Sequence, residues 1–237
     1  MAVALIDLIN GIFSIIFVLV STIVGLITVS KYFKSKKRTI LWIGLAWILI
    51  ASPWWPSSIS VLCALITGKG LSLQLYLFIG NFLVPVFIFC LVAGFTNTYL
   101  FEKQKIILVI FFIFGVIFEA YFLYYLAIDP SVHGELQGLV DIEFRGLLRI
   151  YLIFNIIFTL VLGILIALNS LKAEQPEIKL RGKFLLMAFI SWTIGAIFDA
   201  TVPLNFVTLP IIRIILISSA IEFYFGFVLP DWIKPRS

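Results

Sequence analysis

Residues 106–128 have the sequence IILVIFFIFGVIFEAYFLYYLAI, in which Glu119 is the only charged residue. A helix rises about 1.5 Å per residue, so about 20 such residues cross the ~30 Å hydrocarbon core of a bilayer. The surface helix of a soluble protein has a polar face, and this stretch has none. It therefore predicts a membrane-spanning helix.

The rest of the chain contains six more apolar stretches of this kind. In all, 62% of the residues are hydrophobic, 12% are charged and the mean hydropathy is +1.18, whereas a soluble domain of this length needs more charged surface. The runs are continuous, unlike the alternating ~10-residue strands of a membrane barrel. We predict an all-α polytopic membrane protein, a single seven-helix transmembrane bundle over residues 1–237. The predicted helices are 5–29, 40–66, 72–99, 106–128, 146–168, 184–204 and 207–229.

The basic residues predict the orientation of the bundle. Thirteen of the 17 lysines and arginines follow predicted helices 1, 3, 5 and 7. Cytoplasmic loops carry an excess of such residues. We therefore expect a multi-pass protein of the cell membrane with its N-terminus outside the cell and its C-terminus in the cytoplasm. The net charge of +5 then reflects topology, and we expect no nucleic-acid partner. The thirteen are Lys31, Lys34, Lys36, Lys37, Arg38, Lys103, Lys105, Lys172, Lys179, Arg181, Lys183, Lys234 and Arg236. The first stretch lacks the basic start and cleavage site of a signal peptide, so we expect it to remain as a helix.

Residues that carry catalytic chemistry are scarce. The only histidine, His133, lies in a predicted outer loop, and the motifs HExxH and GxSxG are absent. A covalent retinal pigment needs a lysine inside the last helix, and residues 207–229 contain none. We therefore expect no enzyme activity, no metal and no cofactor.

Ionisable residues inside a membrane are costly and mark either ion pairs or functional sites. Asp199 and Arg213 lie at similar depth on either side of the short turn between helices 6 and 7, which predicts an ion pair between them. Arg145 and Arg149 are four residues apart and share a helix face. Together with other polar and aromatic residues of the outer half, they predict a cavity for a small anionic or zwitterionic ligand. The candidate ligand-binding residues are Trp54, Trp55, Asn81, Glu119, Arg145, Arg149, Asp199 and Arg213, with Asp7 and Asn10 at the same level. The alternative is a structural network that locks the helices together, with the tryptophans as interface anchors.

Two further features leave alternatives open, and two connecting segments have a single expected structure. The sequence SPWWP at residues 52–56 interrupts helix 2, and Pro85 interrupts helix 3, which either shapes a cavity or only kinks the packing. Glu222 has no basic residue at its depth, so it is a proton or polar switch, a neutral hydrogen-bonded residue or a contact to a partner helix. The outer segment LQGLVDIEFRGLL, residues 136–148, is expected to form a short interfacial helix. The inner residues 172–183 are expected to form a solvated loop.

The end of the chain, LPIIRIILISSAIEFYFGFVLPDWIKP at residues 209–235, resembles a known kind of membrane module. It is similar to the last helix of the seven-helix sensor modules at the N-terminus of prokaryotic histidine kinases. Those helices leave the membrane through an aromatic–Gly segment followed by a Pro–Trp–basic step. The resemblance implies sensing of an extracellular ligand. Because no output domain follows Ser237, we expect a separate cytoplasmic or membrane signalling partner.

Three functions remain open at this point. The first is a receptor-like protein that senses a small ligand outside and signals to a partner. The second is a small-molecule transporter, although the Pro–Gln pair and internal repeat of the seven-helix PQ-loop sugar carriers are not found. The third is a structural subunit of a larger membrane complex.

Overall fold

Seven helices of the computed structural model, which describes residues 3–234, are long and apolar enough to cross a membrane. They are α1 (Leu5–Ser35), α2 (Arg38–Thr67), α3 (Leu73–Tyr99), α4 (Phe101–Ile128), α5 (Gly146–Leu171), α6 (Pro176–Thr201) and α7 (Thr208–Phe227). The prediction of an all-α fold with seven helices long and apolar enough to span a membrane is confirmed. Pro235 and Arg236, which the sequence assigned to the inner tail, lie outside the described residues.

Several helices continue beyond their apolar runs into charged sequence. Helix α1 reaches Ser35 and α6 already begins at Pro176, so the prediction that residues 172–183 form a solvated loop is wrong. Lysine, arginine and glutamate are good helix formers, and proline suits the first helical turn. Near the start of α6, Arg181 Nη2 lies 2.8 Å from Oε1 of Glu177, which is one turn earlier on the same face.

Proline interrupts α2 and α3, as the sequence predicted. Helix α2 consists of Arg38–Leu49, a 3₁₀ turn at Ser52–Trp54 and Trp55–Thr67. Helix α3 consists of Leu73–Asn81 and Val84–Tyr99. A proline has no N–H to donate to the preceding turn, so the regular hydrogen-bond ladder stops there.

Six of the helices form a closed ring in the order α1, α2, α3, α5, α6, α7. Helix α4 packs outside the ring against α3, and its Phe118 stacks on Tyr151 of α5 with ring centroids 3.5 Å apart. In the middle of the ring Trp47 of α2 stacks on Phe223 of α7. A Cβ atom added to Gly44 would lie 2.9 Å from the Val29 backbone nitrogen, so the α1–α2 crossing depends on glycine.

The connection between α4 and α5 is a β-hairpin. A 3₁₀ turn at Pro130–Val132 leads into β1 (Gly134–Gln137), which pairs antiparallel with β2 (Asp141–Phe144). The prediction of an interfacial helix over residues 136–148 is therefore wrong. Gly138 has a φ of 78°, which suits glycine and favours a three-residue hairpin loop over a helix.

His133 fixes the base of this hairpin to α4. Its side chain is fully buried, and Nε2 donates to the Phe122 carbonyl oxygen at 3.0 Å. Burial lowers the pKa of His133 below its usual value, so the imidazole is neutral at pH 7. His133 therefore lies in the predicted connection, but its side chain is buried against α4.

Candidate ligand-binding cavity

A cavity of about 550 Å³ lies within the ring, directly beneath the hairpin. Its walls come from α2, α3, α5 and α6, and Arg213 of α7 also contributes. Small-molecule sites typically measure about 300–1,000 Å³, so this volume suits a small organic molecule. The end of the bundle that carries the hairpin and the start of α1 is called the hairpin end below, and the other end the far end.

Three helices hold the loop of the hairpin in place over the cavity. Asp7 of α1 accepts a hydrogen bond from the Leu139 backbone nitrogen at 3.4 Å. Ser60 of α2 donates to the Leu139 carbonyl oxygen, and Tyr76 of α3 donates to the Val140 carbonyl oxygen at 2.8 Å. Val140 itself is completely buried. The hairpin therefore covers the cavity and is held mainly through its backbone.

The predicted ion pair is present in the cavity wall. Arg213 Nη1 lies 2.9 Å from Asp199 Oδ1, and Arg213 Nη2 donates to Asn10 Oδ1 at 2.8 Å. The second oxygen of Asp199 accepts from Trp54 Nε1, also at 2.8 Å. This network connects α1, α2, α6 and α7 at one level, and it engages both oxygens of the Asp199 carboxylate.

The interruption of α2 places two polar side chains at the cavity. The 3₁₀ turn at Ser52–Trp54 turns Trp54 towards Asp199, and Ser57 follows in the next turn of helix. Ser57 Oγ lies 2.6 Å from the Tyr76 hydroxyl, which in turn reaches the hairpin. The proline-rich break therefore shapes a cavity rather than only bending a helix.

Asp141, the first residue of β2, lines the cavity without an ion-pair partner in the described part of the chain. Its carboxylate accepts a hydrogen bond from the Ile142 backbone nitrogen at 2.9 Å. Burial, with the negative charge of Asp199 as a second cause, raises the pKa of Asp141 to about 6. The nearby Arg213 opposes this shift only in part because its charge is already paired.

The raised pKa of Asp141 predicts a pH-dependent stability. The folded protein holds this proton more tightly than the unfolded chain, where an aspartate has a pKa near 4. The stabilisation is present below about pH 4 and is lost as the pH rises through about 6. Asp141→Asn resembles the protonated form at every pH. We expect the variant to be about 2 kcal/mol more stable than the wild type at pH 7.5 and about equal to it at pH 4.

Denaturant unfolding of the purified protein in detergent at both pH values measures this difference. Glu135→Gln is the matched control, because Glu135 is an exposed carboxylate of the same hairpin that does not line the cavity. The control should change stability by less than about 0.5 kcal/mol at either pH. An Asp141→Asn variant that is less stable than the wild type at pH 7.5 would contradict the assignment.

Of the residues predicted from the sequence, Trp54, Arg149, Asp199 and Arg213 line the cavity. The other five lie elsewhere in the described structure. Helical periodicity alone did not reveal which face each presents, nor that the hairpin binds Arg145. Trp55 and Asn81 do not line the cavity, and Asn81 donates to the Leu77 carbonyl oxygen of its own helix. Glu119 lies on the peripheral α4, Arg145 pairs with Glu135 at 2.6 Å on the hairpin surface, and Glu222 lies on α7 outside the cavity lining.

Four of the cavity-wall residues that sequence reasoning missed are the polar or aromatic residues Tyr76, Asp141, Asn155 and Trp192. Asp141 belonged to the segment predicted as an interfacial helix, and only the fold of the hairpin brings it to the cavity. The other three lie in apolar helices, where a single polar or aromatic residue is common. An asparagine within a membrane helix was the one available signal, since it needs partners there.

Comparison with known proteins leaves the cavity as the main guide to function. No protein-family model matches the chain, and no curated protein or solved structure is significantly similar to it. Within residues 3–234, no group of three or more His, Cys, Asp or Glu side chains is arranged to hold a metal ion. The proposals below are therefore based on the geometry of the chain itself.

Proposed function

We propose that this chain is a receptor-like membrane protein that binds a small ligand in the cavity beneath the hairpin and signals to a separate partner. The excess of basic residues at the far end assigns that end to the cytoplasm, so the cavity faces outwards. The observation that carries the proposal is the cavity itself. It has the volume of a small molecule, a cover held by three helices and a buried ion pair in its wall.

Helices α6 and α7 connect the cavity with the far end. The Asp199–Arg213 pair joins them beside the ligand space. At the far end, Arg181 Nη1 donates to the Phe227 carbonyl oxygen at 2.8 Å, and Lys31 Nζ donates to the Val228 carbonyl oxygen at 3.2 Å. A ligand that shifts α6 against α7 would therefore change the position of the α7 exit, where a partner can detect it.

The two cations at the far end should stabilise the α7 exit locally. In Arg181→Gln the Phe227 carbonyl oxygen loses the nearer of its two charged donors, since Lys31 Nζ remains 3.4 Å away, and this loss is worth about 1–2 kcal/mol. We expect backbone amides of residues 224–233 to exchange with deuterium roughly fivefold faster or more, with little change near the cavity. Lys179→Gln is the control, because Lys179 is exposed on the same turn. Equal exchange in both variants would contradict this role.

The resemblance of residues 209–235 to the last helix of histidine-kinase sensor modules supports a signalling partner at this exit. Trp232, the middle residue of the 3₁₀ turn Asp231–Ile233, is 78% exposed there. A large exposed aromatic side chain suits either the lipid interface or a partner protein.

Affinity purification from native membranes in mild detergent, followed by mass spectrometry, tests the proposal. Recovery of a kinase or another signalling component in stoichiometric amount would support a receptor. The Arg181→Gln variant should retain less of that component than Lys179→Gln does. Recovery only of other polytopic membrane subunits would overturn the receptor and favour an assembly role. A chain that purifies alone and mediates solute flux in liposomes would overturn it in favour of a transporter.

A further inference from the structure

We propose that the cavity binds an amphiphilic organic amine, whose ammonium group pairs with Asp141 and whose apolar body fills the space between α3, α5 and α6. This inference rests on the proposed function, since it assigns a chemical class to the ligand of the same cavity. It differs from the anionic or zwitterionic ligand that the arginines in the sequence predicted.

The charges of the cavity wall favour a cation. Five charged residues line the cavity, and Arg213 is already engaged by Asp199 and Asn10. Glu143 is exposed to water and lies 3.4 Å from Arg145, which it shares with Glu135, so its charge is solvated at the surface. Arg149 is exposed at the rim, where water solvates its guanidinium. Asp141 remains as the charge in the inner wall that no described cation pairs with.

Two buried donors in the wall independently indicate a ligand. Trp192 and Ser52 both line the cavity and are 4% and 0% exposed. Within residues 3–234, neither Trp192 Nε1 nor Ser52 Oγ has a hydrogen-bond partner. A buried donor without a partner costs about 1–3 kcal/mol, so an amine that carries an acceptor group besides its ammonium would recover this energy.

The remaining wall suits an apolar body with a cationic end. Val84 and Phe87 of α3 and Leu152 and Ile156 of α5 line the cavity with apolar side chains. Tyr76 adds an aromatic ring on the side of the hairpin. Ammonium groups bind favourably near aromatic faces, and the gain is larger where water is excluded. The raised pKa of Asp141 agrees with a carboxylate that no described cation pairs with.

Three probes with the same phenyl group and different charges separate the possible ligand classes. We would measure thermal stabilisation of the purified protein at pH 7.5 by 2-phenylethylamine, 3-phenylpropionate and phenylalanine, each titrated to millimolar concentration. We expect 2-phenylethylamine to give the same thermal stabilisation at a concentration at least about tenfold lower than either of the other two probes. Stronger stabilisation by the acid, or by phenylalanine through Arg149, would overturn the assignment of an amine.

Asp141→Asn tests the assigned contact in a variant that we expect to be at least as stable as the wild type. Loss of a buried charge partner should weaken binding of the amine about thirtyfold or more. Glu135→Gln removes an exposed carboxylate from the same hairpin and should leave amine binding unchanged. If both variants bind the amine as the wild type does, Asp141 is not its partner and the inference is wrong.

The outcome does not decide the proposed function, because co-purification of a signalling component is measured without any probe. Binding of 3-phenylpropionate alone would overturn the amine assignment, and the receptor would then have an anionic ligand. If none of the three probes stabilises the protein, the amine assignment is overturned while the receptor proposal is judged by its partner.

Discussion

Replacing Arg213 by methionine is expected to destabilise the protein by about 3–5 kcal/mol, because it leaves the Asp199 carboxylate inside the bundle without its cation. Arg213 is 1% exposed and also binds Asn10 of α1, so three helices lose their connection at one level. Asp199→Asn alone should also destabilise the protein, since it leaves the guanidinium unpaired. Denaturant unfolding in detergent measures both variants.

The double variant distinguishes an ion pair from two independent residues. With both charges removed, the amide oxygen introduced by Asp199→Asn can still accept from Trp54 Nε1, and no unpaired charge remains. We expect the double variant to lose about 1–3 kcal/mol less unfolding free energy than the two single variants lose in sum. Arg149→Met serves as a control for removing an exposed arginine and should cost less than about 0.5 kcal/mol. Simple additivity would contradict the pair.

Introducing a charge at Val140 should release the hairpin from the bundle. Val140 is completely buried at the tip, and its carbonyl oxygen accepts from Tyr76. Val140→Asp places a carboxylate in that position with no cation beside it, at a cost of several kcal/mol. The hairpin is expected to swing out rather than the bundle unfold, because the contact is local. Limited proteolysis should then cut within residues 134–144 at least about tenfold faster.

Gln137→Asp is the matched control for this change. It adds the same charge to the same hairpin, but Gln137 is exposed. Its cleavage rate should remain close to that of the wild type, and its helical content should be unchanged. Equal protection of Val140→Asp and the wild type would show that the tip is not held in the way described.

The seven helices could be predicted because the bilayer imposes a length and a composition that are visible in the sequence. The stretch at residues 106–128 shows this most clearly. The ends were less predictable: α6 begins eight residues before residue 184, at Pro176. Charged residues such as Lys179 and Arg181 continue the helix into the polar interface, where hydropathy no longer marks it.

The ion pair could also be predicted, because Asp199 and Arg213 are joined by a short turn that fixes their relative depth. Asn81 and Glu119 lacked such a constraint, and their helix faces depend on how α3 and α4 pack. Asp141 was not predictable as a cavity residue. Its position depends on the antiparallel pairing of β1 and β2 and on hydrogen bonds from Ser60 and Tyr76, which are far away in the sequence.

The proposed outward orientation of the cavity is tested most directly by the accessibility of a single cysteine. Ala200 is exposed and lines the cavity, whereas Glu174 is exposed in the turn at the far end. Each would be replaced by cysteine after Cys63 and Cys90 have been removed. A membrane-impermeant methanethiosulfonate would then be applied to intact cells and to inside-out vesicles. We expect Ala200→Cys to react in cells only and Glu174→Cys in inside-out vesicles only. The reverse pattern, with Ala200→Cys reacting only in inside-out vesicles, would contradict an outward-facing ligand cavity.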